Sequence, residues 1–292
     1  MIDRDYSYIC EQKQKISQLS HASNIISKWG NNVTRQQKKA LEHLIPEYAK
    51  YIREMLAISD NHCLTEKEKV NMQVACVNRY YNYMHNNNFE NTFSAQGKFR
   101  PTILEEFLFL LFRAYVIKVK ENHDIEDVLG SGAVKAYTNI YFKAKNFKDF
   151  IVSPEIGVNE KDQDYAIYRT FDISINNANP LKIRIPAVAI EAKTYIDKTM
   201  LDSIIATAEK IKSGNPHTRF IAVSERYDVS FGVDPAYSRI DQIYILRKGM
   251  KKQEWAEIDA EVVWRLYDET INHLNRPWSD IETRINEEGV II

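Results

Sequence analysis

The stretch LKIRIPAVAIEAK, residues 181–193, decides how the chain is read. It opens with alternating apolar and polar residues, becomes continuously apolar at Ala187 to Ile190, and then places Glu191 and Lys193 two residues apart. That pattern predicts a strand that enters a core and presents an acid and an amine on one face at its far end. Such a pair can bind a metal ion and position a water, so the first expectation is a metal-dependent hydrolase site.

The residues before it supply a partner strand. Asp164 to Ile175, DYAIYRTFDISI, alternates apolar and aromatic positions and runs into the turn-rich NNANP. With the hairpin turning around Asn177 and Ala178, opposed residue numbers sum to about 356. Asp164 then lies across from about Ala192, within side-chain reach of Glu191 and Lys193. Asp172, the rival in the same strand, falls near Arg184, roughly 20 to 25 Å from the acid and lysine. Asp162 becomes the alternative only where a bulge shifts the register.

Downstream, 198–212 is an amphipathic helix closed by Ser213 and Gly214. TRFIAVSE and RIDQIYILRK follow as strands, and Asp259 to Leu274 as a helix carrying Trp264 and Tyr267. Upstream, Gly130 and Gly132 mark a turn, and YTNIYFKA reads as a strand. Pro101 and Thr102 start the apolar helix TILEEFLFLLFRAYVIKV. Glu105 and Glu106 cannot both face solvent if Ile103, Leu104, Phe107 and Leu108 are packed: one points into a site, or both simply favour the positive end of the helix dipole.

From Tyr6 to about Met84 the periodicity is helical, best at 20–29, 34–56 and 65–84. Thr65 with Glu68 is a capping-box signature, and Pro46 is expected to break or bend the second helix. Tyr80, Tyr81 and Tyr83 beside Arg79 read as core in preference to nucleic-acid contacts. NNNFENTFSAQGKFR, residues 86–100, is a solvated linker or a DNA-recognition loop. These readings divide the chain into a helical N-terminal region, 1–98, for recognition or dimerisation, and a catalytic α/β core, 99–292.

Hydrophobic residues make up 44% and charged residues 27%, as in a folded globular protein. No apolar run approaches the roughly 18 residues of a membrane span, and MIDRDYSYIC lacks a signal-peptide core, so a cytoplasmic protein is expected. Cys10, Cys63 and Cys76 show no paired spacing, and His62, Cys63, Cys76 and His85 are not spaced like zinc ligands. The net charge is −1, with 14 basic against 10 acidic residues in 1–100. That distribution lightly favours an acidic metal-binding half beside a basic one.

Two carboxylates and a backbone carbonyl suit Mg²⁺, which takes oxygen ligands and keeps several waters. Asp164 followed across a hairpin by Glu191, Ala192 and Lys193 resembles the PD-(D/E)xK nuclease motif. RPTILEEFLFLLF and IEAKTYIDKTMLDS are similar to type II restriction endonucleases of the BbvCI kind, which pair two different subunits on an asymmetric site. The resemblance covers about residues 100–250 and implies a mixed sheet flanked by helices. It also implies Mg²⁺-dependent cleavage of specific double-stranded DNA sequences to 5′-phosphate and 3′-hydroxyl ends, by a homodimer or a heterodimer with a related subunit. In it Asp164, Glu191 and the Ala192 carbonyl ligate Mg²⁺, Lys193 activates water and Glu105 assists. Gln163 stands where that motif has proline. The competing expectations are another nuclease of the same fold, a DNA-binding subunit without catalysis in which the acids and lysine form only a structural ion-pair cluster, and a core hairpin ending in a solvated charge pair with no nucleic-acid role.

Overall fold

The computed structural model describes all residues except 1, 32, 94–98, 124, 126–127, 153–154, 175–179, 253, 277, 279 and 290–292, and the side chains of Glu90 and Glu288. The turn expected at Asn177 and Ala178 lies outside the described residues.

Helices α1 (Ile2–Lys15), α2 (Ser20–Gly30), α3 (Arg35–Ser59) and α4 (Glu66–Asn86) form the N-terminal layer. Thr34 and Thr65 each close a capping box, with Gln37 and Glu68, so both long helices start where their hydroxyls accept an orphan backbone N–H. The break expected at Pro46 does not occur: α3 runs through it. Leu44, Ile45, Tyr48 and Ala49, all fully buried around the proline, hold the helix by packing where one backbone hydrogen bond is lost.

The 86–100 stretch is neither a plain linker nor an open loop where it is described. It contains the short helix α5 (Phe89–Thr92), and Phe89, Phe93 and Phe99 are buried, the last two stacked at 4.4 Å. Next, α6 (Pro101–His123) buries residues around nearly its whole circumference from Thr102 to Phe112, and only Val116 is buried beyond. A helical segment buried all round must be enclosed, and α6 lies between the helical layer and the sheet.

Among the described residues the sheet has the order β1 (Leu129–Lys143), β2 (Glu155–Ile173), β3 (Leu181–Lys193), β4 (Arg219–Ser224) and β5 (Gln242–Ile245). The first three are antiparallel, and β3, β4 and β5 are parallel. Helix α7 (Phe147–Val152) sits at the tip of the β1–β2 hairpin, α8 (Lys198–Gly214) crosses from β3 to β4, and α9 (Ala260–Asn275) follows β5.

Gly130 and Gly132 lie inside β1 rather than at a turn. A Cβ on Gly130 would stand 2.3 Å from the Tyr168 ring, and Gly132 has φ +117° beside a register shift. These glycines make room and bend a strand.

Alternation along β3 divides the interior. Val188, Ile190 and Ala192 face the core shared with α6 and the helical layer, which extends without interruption from Ile9 to Tyr267. Ala189 faces a second core with Leu201, Ile204 and Ala208 of α8. Glu191 and Lys193 share the parity of Ala189, which sets them on the α8 face at the end of the strand.

Candidate active site

β3 delivers its two polar residues where the β2–β3 ladder stops. The last described pair is Tyr165 with Ile190, and β3 continues past it to Lys193. On the other side of β2, Gly132 pairs with Ala166 and Val134 with Gln163, so Asp164 and Tyr165 together oppose the single residue 133. Asp164 therefore sits in a β-bulge, a device that re-aims a side chain.

The bulge turns the Asp164 carboxylate onto β3. It accepts the Ala192 backbone N–H at 2.8 Å, and Lys193 Nζ lies 3.4 Å from the same oxygen. Lys193 Nζ also donates to Glu191 Oε1 at 2.7 Å. Because the N–H and C=O of one strand residue point to the same edge, the Ala192 carbonyl also faces Asp164.

Burial is the largest influence on Glu191, whose side chain is only 14% exposed; with the nearby Asp164 charge it raises the carboxyl pKa, against Lys193. For Lys193, burial acts to lower the pKa but is outweighed by attraction to Asp164 and Glu191, so the net shift is upward. The lysine is thus a cation at neutral pH, held between two carboxylates.

The other expected residues fall elsewhere. Asp172 faces Lys182, two residues from Arg184: paired numbers sum to 355 at Tyr165 and Ile190 and, past the register shift between Ile167 and Tyr168, to 354; that places it about 30 Å along the strand from Glu191. Asp162 is exposed and opposite Lys135. Gln163, at the proline position, is buried and donates to the Asp162 carbonyl at 2.7 Å.

Glu105 is half-buried on α6, which packs on the opposite face of the sheet from Glu191 and Lys193. Among the described residues no third Asp, Glu, His or Cys completes a metal-binding group with Asp164 and Glu191. Its neighbour Glu106 turns into the helical layer. Fully buried, it accepts from the His21 and Ala22 backbone N–H groups and from Tyr48 Oη at 2.7 Å, which caps α2.

Tyr80 and Tyr81 are core residues, and Tyr83 donates to the His43 carbonyl. Cys76 is buried, Cys63 and His62 are exposed and His85 stacks on Trp255, and among the described residues no group of three or more His, Cys, Asp or Glu could hold a metal ion. One feature was hidden in the sequence: Glu225, read as a strand terminus, is fully buried beside the Lys193 end of β3.

The donor set fits a hard divalent cation. Two carboxylates bond to one ammonium and so converge on a point where positive charge is already favoured, and a carbonyl faces the same edge. Mg²⁺ needs no more than one or two carboxylates, with water completing its shell.

A helix, three antiparallel strands, a crossover helix and a parallel strand, with this cluster at the end of the third strand, define a restriction-endonuclease-like fold. The solved structure titled "native BbvCI A2B2 tetramer at low resolution" is similar to this chain with a TM-score of 0.70 and 20% identity, covering 89% of this chain and 96% of that one. Residues 96–269 match the Bpu10I restriction endonuclease family, and the chain belongs to it. No curated protein sequence matches the chain. No helix among the described residues is long and apolar enough to cross a membrane.

Proposed function

We propose that this chain is a subunit of a type II restriction endonuclease that hydrolyses phosphodiester bonds at a specific double-stranded DNA sequence, in the cytoplasm, with Mg²⁺ as cofactor. The observation that carries this reading is the convergence of Asp164 and Glu191 on Lys193 at the end of β3. Asp164, Glu191 and the Ala192 carbonyl would hold Mg²⁺, which supplies charge neutralisation at the phosphoryl group and a more acidic water.

Lys193 orients the attacking water and the phosphate oxygen as a hydrogen-bond donor. Its raised pKa keeps it protonated, so it serves better to position than to accept a proton. The Ala192 N–H fixes one Asp164 oxygen and leaves the other for the cation. Attack in line with the leaving 3′ oxygen leaves a 5′-phosphate and a 3′-hydroxyl. The family resemblance gives Glu105 an assisting role, but α6 packs on the other face of the sheet from Glu191 and Lys193, so we assign Glu105 no step here.

We assign the helical region 1–98 to recognition or dimerisation, and the working unit to a dimer, either of this chain or with a related subunit. The structural relative titled as an A2B2 tetramer supports the second arrangement. The test is incubation of the full chain, with and without its related subunit, with mixed plasmid DNA and Mg²⁺, followed by sequencing of the cut ends. Unique cut positions abolished by chelation support the proposal. DNA left intact in every combination refutes it.

A further inference from the structure

Hydrogen bonding between β3 and β4 continues past the end of β4. Glu225 N–H donates to the Lys193 carbonyl at 3.2 Å, and Arg247 N–H donates to the Glu225 carbonyl at 3.2 Å. The Glu225 side chain has the parity of Ile221 and Val223, so its carboxylate points away from Glu191 and Lys193, into the core shared with α6.

There it is fully buried and accepts from three elements. Arg247 Nε donates at 2.8 Å, Arg100 Nη2 at 2.8 Å and Tyr81 Oη of α4 at 3.2 Å. Arg247 is itself fully buried, lies over the Tyr81 and Trp255 rings at 4.7 and 4.2 Å, and donates to the Ala256 carbonyl. Arg100 is the residue before α6, one turn ahead of Glu105.

Stability alone is a poor reason for such a group. A buried ion cluster costs desolvation that an apolar replacement avoids, and its better attested use is to fix one arrangement of its elements. One guanidinium would balance one carboxylate; here two converge from different segments. What they tie together is the backbone that bonds to Lys193, the exit of β5, helix α4 and the entrance of α6.

We infer that the Arg100–Glu225–Arg247 cluster is a positioning device, which holds the Lys193 end of β3 and the first turn of α6 in fixed relation across the sheet. Its relevance to cleavage rests on the site proposed above. None of its members touches DNA or metal in this role; each acts through the backbone of Lys193 and the seat of α6.

Arg100→Ala is the informative variant, because Glu225 keeps Arg247 and Tyr81 and the fold survives. Hydrogen exchange followed by peptide reads the effect without any activity. We expect exchange to rise about tenfold in peptides spanning 190–193 and 224–227 while α8 stays protected. Single-turnover cleavage by the same protein, with its related subunit present, should fall about tenfold while DNA affinity in Ca²⁺ stays within about twofold.

Unchanged exchange in those two peptides, a uniform rise across the chain, or wild-type cleavage by Arg100→Ala overturns the inference. Lys193→Ala, run alongside, tests the underlying site: its cleaving like wild type sinks that site while the exchange result stands on its own.

Discussion

The carboxylate of Asp164 accepts the backbone N–H of Ala192 at 2.8 Å, from a bulge that gives β2 one residue more than β1. One oxygen is thereby committed to holding the carboxylate against β3. Asp164→Asn keeps an acceptor for that N–H and so should keep the fold, but it removes the charge a cation needs. We expect Mg²⁺-dependent cleavage to fall at least about a hundredfold in a plasmid assay. Asp172→Asn, opposite Lys182 far along the strand, should stay within about twofold of wild type. Equal losses in the two variants would disprove the assignment.

Lys193 and Glu191 should separate metal binding from chemistry. Removing the ammonium in Lys193→Ala leaves two carboxylates facing each other without their cation. A divalent ion then meets less repulsion, so calorimetric Mn²⁺ affinity should stay equal or increase while cleavage is lost. Glu191→Gln removes a ligand, and both affinity and cleavage should fall by about tenfold or more. The raised Glu191 pKa adds a sign: acidification protonates this carboxyl earlier than an ordinary glutamate, so Mn²⁺ affinity of the wild type should weaken as pH falls. Weaker Mn²⁺ binding by Lys193→Ala would contradict the arrangement.

The strand that carries the proposed site was legible because its physics is local. The apolar run and the Glu-x-Lys spacing set both the limits of β3 and the face of its polar residues, and the observed strand spans the same residues, 181–193. Asp164 followed from hairpin arithmetic, although its aim depends on a bulge that the sequence does not display. Gly130 was unreadable for a related reason: a glycine that makes room for Tyr168 looks the same in sequence as one that turns the chain. The absence of a break at Pro46 and the three buried phenylalanines of 86–100 were not legible, because tertiary packing overrode local propensity. Glu225 lay beyond reach, since its partners Tyr81, Arg100 and Arg247 come from three distant segments.

Glu106 gives a pH dependence that belongs to the helical layer. Burial pushes its carboxyl up to about 7, against the hydrogen bonds from Tyr48, Ala22 and His21, which favour the ionised form. A carboxyl with a folded-state pKa above its unfolded value contributes stability that is fully present below about 4.5 and is lost as pH rises through about 7. Glu106→Gln cannot titrate and keeps an oxygen for the two backbone donors. Chemical denaturation at pH 5 and pH 8 should therefore show the glutamine variant gaining on wild type at the higher pH, by up to about 3 kcal/mol. A constant difference across that range would show that Glu106 does not titrate there.

The tip of the β1–β2 hairpin is where the proposed assembly would be expected to place another subunit. Phe147, Phe150, Ile151 and Val152 of α7 are all largely exposed, and Phe142 of β1 is exposed nearby. An exposed apolar surface is a candidate interaction site, and the expected occupant is a further subunit of the proposed assembly. Phe150 and Val152 bury nothing in this chain's own core, so charging both leaves the fold intact. Burying a large apolar side chain contributes about 1.5 to 3 kcal/mol, and losing two should weaken association by about a hundredfold or more. Sedimentation of the Phe150→Asp, Val152→Asp double variant, alone and with the related subunit, measures this directly. Assembly at wild-type concentration would move the interface to another face and leave the exposed tip without a role in oligomerisation.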